Sequence, residues 1–272
     1  MAPKEKTRLF KVPSDEPQTL IVGEGEGKRS IAYRTAASRT ANDTGLFWLS
    51  GFMSDMASTK AAAVAAWAAE RGLASTRFDY SGHGVSDGPF TDGTIGRWLE
   101  EAYAVFTRVT VGPQVIIGSS MGGHIALLLL RKLMCEQPSE AQRVKGLVLI
   151  APAWDMTEEL MWKRFGDDAR RAILERGVYE QPSAYGSPYP ITRSLIEDGR
   201  KHLLAREPFN PGRPVVILQG LQDPDVPAAH TRELTEFLTG KWVKLIEISD
   251  GEHRLSRPQD LALLFDEIGK LV

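Results

Sequence analysis

Cysteine is almost absent from this 272-residue chain, Cys135 being the only one. A single thiol excludes an intramolecular disulfide and any zinc site built on several cysteines. Its place toward the end of a helix-like stretch predicts a packed thiol rather than a nucleophile. Charge of one sign is also lacking: 33 Lys and Arg stand against 35 Asp and Glu, a formal net charge of -2. That balance gives no electrostatic reason to expect nucleic acid or an anionic membrane as partner. Long apolar runs are missing too. The run 125–130, like every other in the chain, falls far short of the roughly 20 residues that span a bilayer, and residues 1–17 hold no apolar core of the kind a secretory signal needs. The expectation is a cytoplasmic protein without integral membrane association. Internal repeats, low-complexity tracts and heptads are absent as well.

What is present is the ordinary balance of a globular chain, 42% hydrophobic and 25% charged, long enough to bury one large core. Two antiparallel edge strands are expected near 9–12 and 30–34. Short apolar runs then alternate with longer stretches whose apolar residues recur at three and four. Strands are expected at 46–50, 74–79, 114–118, 146–151, 215–220 and 243–248, and helices at 61–71, 95–109, 121–135, 228–238 and 258–271. This alternation implies an α/β, doubly wound, mostly parallel sheet with helices on both faces. Between 151 and 215 the rhythm breaks for about 60 residues, longer than a simple crossover needs. That segment holds Trp154, Met156, Met161, Trp162, Phe165, Tyr179, Tyr185 and Tyr189, with prolines at 182, 188 and 190. It reads as a cap, its aromatics either forming a pocket or packing into a small core of their own.

Gly118-Ser119-Ser120-Met121-Gly122 carries the chemistry. It matches G-x-S-x-G directly after the apolar run Val115-Ile116-Ile117 and directly before a helix. Small residues flank a serine in such an elbow because the strained turn leaves no room for a Cβ. The turn lifts the Ser120 hydroxyl clear of the sheet and leaves the Met121 N–H at a helix start, where a developing oxyanion is favoured.

A serine hydroxyl needs an imidazole to take its proton and a carboxylate to hold that imidazole. With a nucleophile elbow the chain order is serine, acid, histidine. His83 precedes Ser120, His124 lies one turn into its helix, and His202 and His230 fall in helix-like stretches. His253 remains, in the polar loop Ser249-Asp250-Gly251-Glu252-His253-Arg254. The acid should follow another strand end, and Asp223 is the first carboxylate past 215–218. Asp225 competes with it, although Pro227 suits the opening of the next helix and Asp225 suits its cap. Asp79 also ends a strand, and pinning the 81–86 loop is the role expected of it. The second oxyanion donor is expected after the strand at 46–50, from the Phe52 N–H beside Gly51.

These blocks, together with Ser50-Gly51-Phe52-Met53-Ser54-Asp55-Met56, Arg77-Phe78-Asp79-Tyr80-Ser81-Gly82, Gly112-Pro113-Gln114 and Val226-Pro227, resemble the α/β-hydrolase-fold serine hydrolases over nearly the whole length. More narrowly, they are similar to the mitochondrial palmitoyl-protein thioesterase and acyl-glucuronide esterase family and its bacterial relatives. The resemblance implies an α/β-hydrolase core at 1–151 and 214–272 and a small helical cap or lid insertion at 152–213. It also implies a Ser120–Asp223–His253 triad, oxyanion donors at Phe52 and Met121, and no metal or organic cofactor. The implied substrate is a small-molecule or acyl-protein ester or thioester, cleaved through an acyl-enzyme. A small-molecule carboxylesterase, an amide or carbon–carbon bond hydrolase and a non-catalytic binding module are the alternatives on this fold. Arg254, beside His253, is a candidate to face a substrate carboxylate. The organelle address of the animal enzyme, carried by a long N-terminal extension, is not expected to carry over.

Overall fold

The computed structural model describes residues 16–40, 44–182, 188–204 and 207–272. The strand expected at 9–12 lies outside them. The strand expected at 30–34 is β2 (Arg29–Ala36), and its antiparallel partner is β1 (Gln18–Val22), a run rich in the β-branched residues that suit a pleated edge. The chain continues through β3 (Gly45–Leu49), α1 (Thr59–Glu70), β4 (Ala74–Phe78), α2 (Ile95–Val109), β5 (Gln114–Ser119), α3 (Met121–Glu136), α4 (Pro138–Arg143) and β6 (Val144–Ile150). It then enters the long connection, with α5 (Asp167–Arg176), β7 (Val178–Gln181), β8 (Tyr189–Thr192) and α6 (Arg193–Gly199). It closes with β9 (Val215–Gly220), α7 (Ala228–Phe237), β10 (Val243–Ile248) and α8 (Pro258–Gly269).

Eight of these strands form one sheet in the order β1-β2-β4-β3-β5-β6-β9-β10, parallel from β4 to β10. Alternation along the strands sorts the core into two layers. Leu46, Trp48, Val115, Ile117, Val148, Ile150, Val216 and Leu218 pack with Ala61, Val64 and Trp67 of α1 and Leu264 and Ile268 of α8. Their neighbours Phe47, Leu49, Ile116, Leu147, Leu149, Val215 and Ile217 face Trp98, Val105 and Phe106 of α2 and the leucines of α3. A parallel strand covered on both faces must be apolar on both, which is why these segments read as continuous hydrophobic runs. Among the described residues no helix is long and apolar enough to cross a membrane.

Two expectations are corrected. The connection between β6 and β9 is not purely helical: β7 and β8 pair as an antiparallel ribbon separate from the main sheet, with Glu180 opposite Pro190. Proline in a two-stranded ribbon can turn its missing donor to the open edge, so it signals no strand end there. Cys135 is exposed rather than packed. It sits two positions beyond buried Leu133, about 200° round the helix and so on the opposite face.

Candidate active site

The elbow is built as its residues require. β5 ends at Ser119, α3 begins at Met121, and Ser120 between them has φ 53° and ψ -118°. This positive-φ conformation costs a non-glycine residue about 1–3 kcal/mol and persists only where the surroundings enforce it. Here the Ser120 N–H donates to the Ile150 carbonyl at 2.8 Å, and the Ser120 carbonyl accepts from Gly123 at 2.9 Å and Ala153 at 3.1 Å. A Cβ on Gly122 would run into the Leu49 carbonyl, and one on Gly118 into the Gly122 carbonyl.

Two other strand ends bring their loops to the same place. The loop after β10 presents His253 with Nε2 3.1 Å from Ser120 Oγ and Nδ1 2.8 Å from Asp223 Oδ2. Asp223 follows β9 with a fully buried carboxylate. Its Oδ1 accepts from the N–H groups of Asp225 at 2.9 Å and Val226 at 2.8 Å. Beneath the loop, buried Gln219 donates to the carbonyls of Gly220 and Val226, both at 2.9 Å, and accepts from Thr231 Oγ1 at 2.6 Å. Asp225 does not cap α7. Pro227 holds that position without a side-chain bond, and Asp225 is an exposed residue on the wall of the cavity.

Phe52 lies in the loop after β3, pressed against the serine. A Cβ on Gly51 would lie 3.3 Å from both Ser120 Cβ and the Ser119 carbonyl oxygen. The Met121 N–H is the first of α3 and so has no acceptor within the helix. Asp79 holds the neighbouring loops, accepting from Met56 N at 2.6 Å and Val85 N at 3.0 Å, with its carboxyl pushed upward chiefly by burial.

Ser120 opens onto a cavity of about 840 Å³. Its apolar lining comes largely from the β6–β9 connection: Met156, Leu160, Met161, Phe165 and Tyr189, joined by Phe52. The lining also carries Ser58, Thr59, Lys60, Arg254 and Ser256. The aromatics of the connection therefore divide. Trp154 stacks on His230 with ring centroids 4.5 Å apart, Trp162 lies under the guanidinium of Arg200, and Tyr179 packs on Phe165; none of the three lines the cavity. Tyr185 lies outside the described residues. Lys60 was not singled out by the sequence, since a lysine opening a helix carries no signal. Burial lowers its amine to about 8, and it donates to the Arg254 carbonyl. Asp223, Asp225 and His253 bring ligand atoms within 4.8 Å of one another, yet a metal there would have to break the Asp223–His253 bond.

The remaining histidines are mostly structural. His124 accepts from Asp155 N at 3.2 Å, and His230 Nε2 meets the Trp154 carbonyl at 2.9 Å. Burial lowers His83 and His230 to about 4 and His124 to about 3. With folded values below the unfolded value near 6.5, these three bind fewer protons folded than unfolded, so stability is fully present above about 6.5 and declines on acidification. Together they should remove roughly 3 kcal/mol between pH 6.5 and 5.5, before most carboxylates titrate. Urea unfolding across that window checks this, and a flat stability profile would contradict it.

Comparison with known proteins agrees with the architecture. The family described as serine aminopeptidase, S33 (Hydrolase_4), matches residues 45–178. A protein of Agrobacterium vitis S4 with a crystal structure at 1.80 Å is 43% identical, with a TM-score of 0.91 over 94% of this chain and 98% of that one. The chain belongs to the α/β hydrolases and is a hydrolase of that fold. Within it, the chain is similar to bovine palmitoyl-protein thioesterase ABHD10, mitochondrial, at 29% identity over 89% of this chain and 76% of that protein. The structure of mouse alpha/beta hydrolase domain-containing protein 10 is 27% identical, with a TM-score of 0.78 over 93% of this chain and 98% of that chain.

Proposed function

We propose that this chain is a serine hydrolase that cleaves carboxylic esters or thioesters through an acyl-enzyme. The observation that carries the reading is the hydrogen-bonded chain Ser120–His253–Asp223 beside a cavity with apolar lining. Ser120 Oγ attacks the acyl carbonyl as His253 Nε2 takes its proton. The Phe52 and Met121 N–H groups stabilise the oxyanion. The imidazolium then protonates the departing alkoxide or thiolate, and the neutral imidazole activates water to release the acid. Residues 152–213 act as the cap, their apolar side chains receiving the acyl chain while the Lys60 and Arg254 side faces the leaving group.

The test is kcat/KM for matched oxygen esters and thioesters from acetyl to palmitoyl. Efficiency should rise with acyl length, since each methylene buried against the apolar lining contributes about 0.8 kcal/mol. A maximum at short oxygen esters would instead favour a small-molecule carboxylesterase. Failure of a fluorophosphonate to label Ser120 would leave a non-catalytic binding module.

A further inference from the structure

The reaction proposed above makes no use of His83, yet a buried polar chain beside the site runs through it. Glu101 of α2, with no exposed surface, accepts from Ser81 N at 2.8 Å and Ser81 Oγ at 2.6 Å and is ion-paired with the Nε of buried Arg29. The Ser81 peptide is thereby fixed. Its carbonyl accepts from Trp98 Nε1 at 3.2 Å and faces His83 Nδ1 at 3.2 Å. A carbonyl only accepts, so Nδ1 carries the ring hydrogen. Burial keeps the ring neutral by lowering it to about 4, which leaves Nε2 bare. That bare nitrogen lies 3.2 Å from the Met53 N–H, which donates to it.

Met53 is the residue after Phe52 and has φ 57°. A methionine in the left-handed region needs its surroundings to hold it there, and His83 supplies a bond to its backbone. The same two rings pack on His83 and on Phe52. His83 packs on Phe90 and Trp98 with centroids 5.1 and 5.2 Å apart, and Phe52 packs on those two at 4.9 and 6.0 Å. We propose that His83 is a positioning residue, its Nε2 accepting from the Met53 N–H so that the Phe52 N–H is aimed at the oxyanion. The inference rests on the acyl-enzyme reading and on Phe52 as an oxyanion donor.

Asparagine and glutamine at position 83 separate the two ring nitrogens. His83→Asn keeps a donor where Nδ1 was and removes the acceptor, whereas His83→Gln places an amide oxygen near the position of Nε2. His83→Asn and His83→Phe should lower kcat by about 10- to 100-fold with KM within about twofold, somewhat less than outright loss of an oxyanion donor. His83→Gln should stay within about threefold of the parent. Affinity for a boronic acid, which mimics the tetrahedral oxyanion, should fall in step with kcat. Equal losses in the asparagine and glutamine variants, or a loss confined to KM, would overturn the proposal. Nitrogen-15 NMR of the unsubstituted protein provides a readout that needs no variant to fold. A hydrogen on Nδ1 supports the assignment and one on Nε2 defeats it. Ser120→Ala in the same assay separates the two levels. An active Ser120→Ala would sink the acyl-enzyme reading, while an inactive one beside a fully active His83→Asn would sink this inference alone.

Discussion

Ser120→Ala is expected to lower kcat by about 10⁴ to 10⁶, with residual rate from the oxyanion donors and substrate binding alone. The loss should fall on kcat rather than KM, because Ser120 Oγ touches His253 Nε2 and makes its new bond only as the reaction proceeds. Stability should respond oppositely to a different change at the same position. Ser120 sits at φ 53°, a conformation glycine adopts at no steric cost, so Ser120→Gly should be inactive yet more stable by about 1 kcal/mol. Steady-state kinetics with urea unfolding of both variants is the check. Near-full activity in Ser120→Ala would remove serine catalysis from consideration.

Asp223→Asn should cost about 10⁴-fold in kcat, through the imidazole tautomer rather than through lost structure. Two N–H groups, those of Asp225 and Val226, donate to Oδ1, so the asparagine must leave its oxygen there. Its NH₂ then faces His253 Nδ1, where Asp223 Oδ2 accepted at 2.8 Å. A donor opposite Nδ1 forces the ring hydrogen onto Nε2, which can no longer take the Ser120 proton. Asp225→Asn, changing an exposed carboxylate, should stay within a few-fold of the parent. A larger loss at 225 than at 223 would reverse the assignment of the acid.

The elbow was legible because its requirements are local. A strand end, a positive-φ serine and a helix start follow one another directly, and the clash that excludes a Cβ at Gly118 is with the Gly122 carbonyl of the same turn, whereas the one at Gly122 comes from Leu49 of β3. His253 was reached through chain order. The β7–β8 ribbon was not, because Pro190 reads locally as a turn and is tolerated only because its strand has an open edge. Cys135 was misjudged for a similar reason: position in a helix-like stretch says nothing of which face the neighbouring elements cover.

By itself, the sequence determined the alternating α/β order, the two-sided burial of the parallel strands, the serine on its turn and the histidine and carboxylate loops beyond strand ends. Each of these is written in spacing a few residues long. Only the tertiary structure put Asp223 against His253, divided the aromatics of the β6–β9 connection into Phe165 and Tyr189 on the cavity and Trp154 and Trp162 away from it, and tied His83 to Met53. Those outcomes depend on the direction of single side chains across contacts between residues 30 to 133 positions apart. Periodicity fixes which face of an element is apolar, but which neighbour that face meets is settled only when the sheet and its loops are packed together.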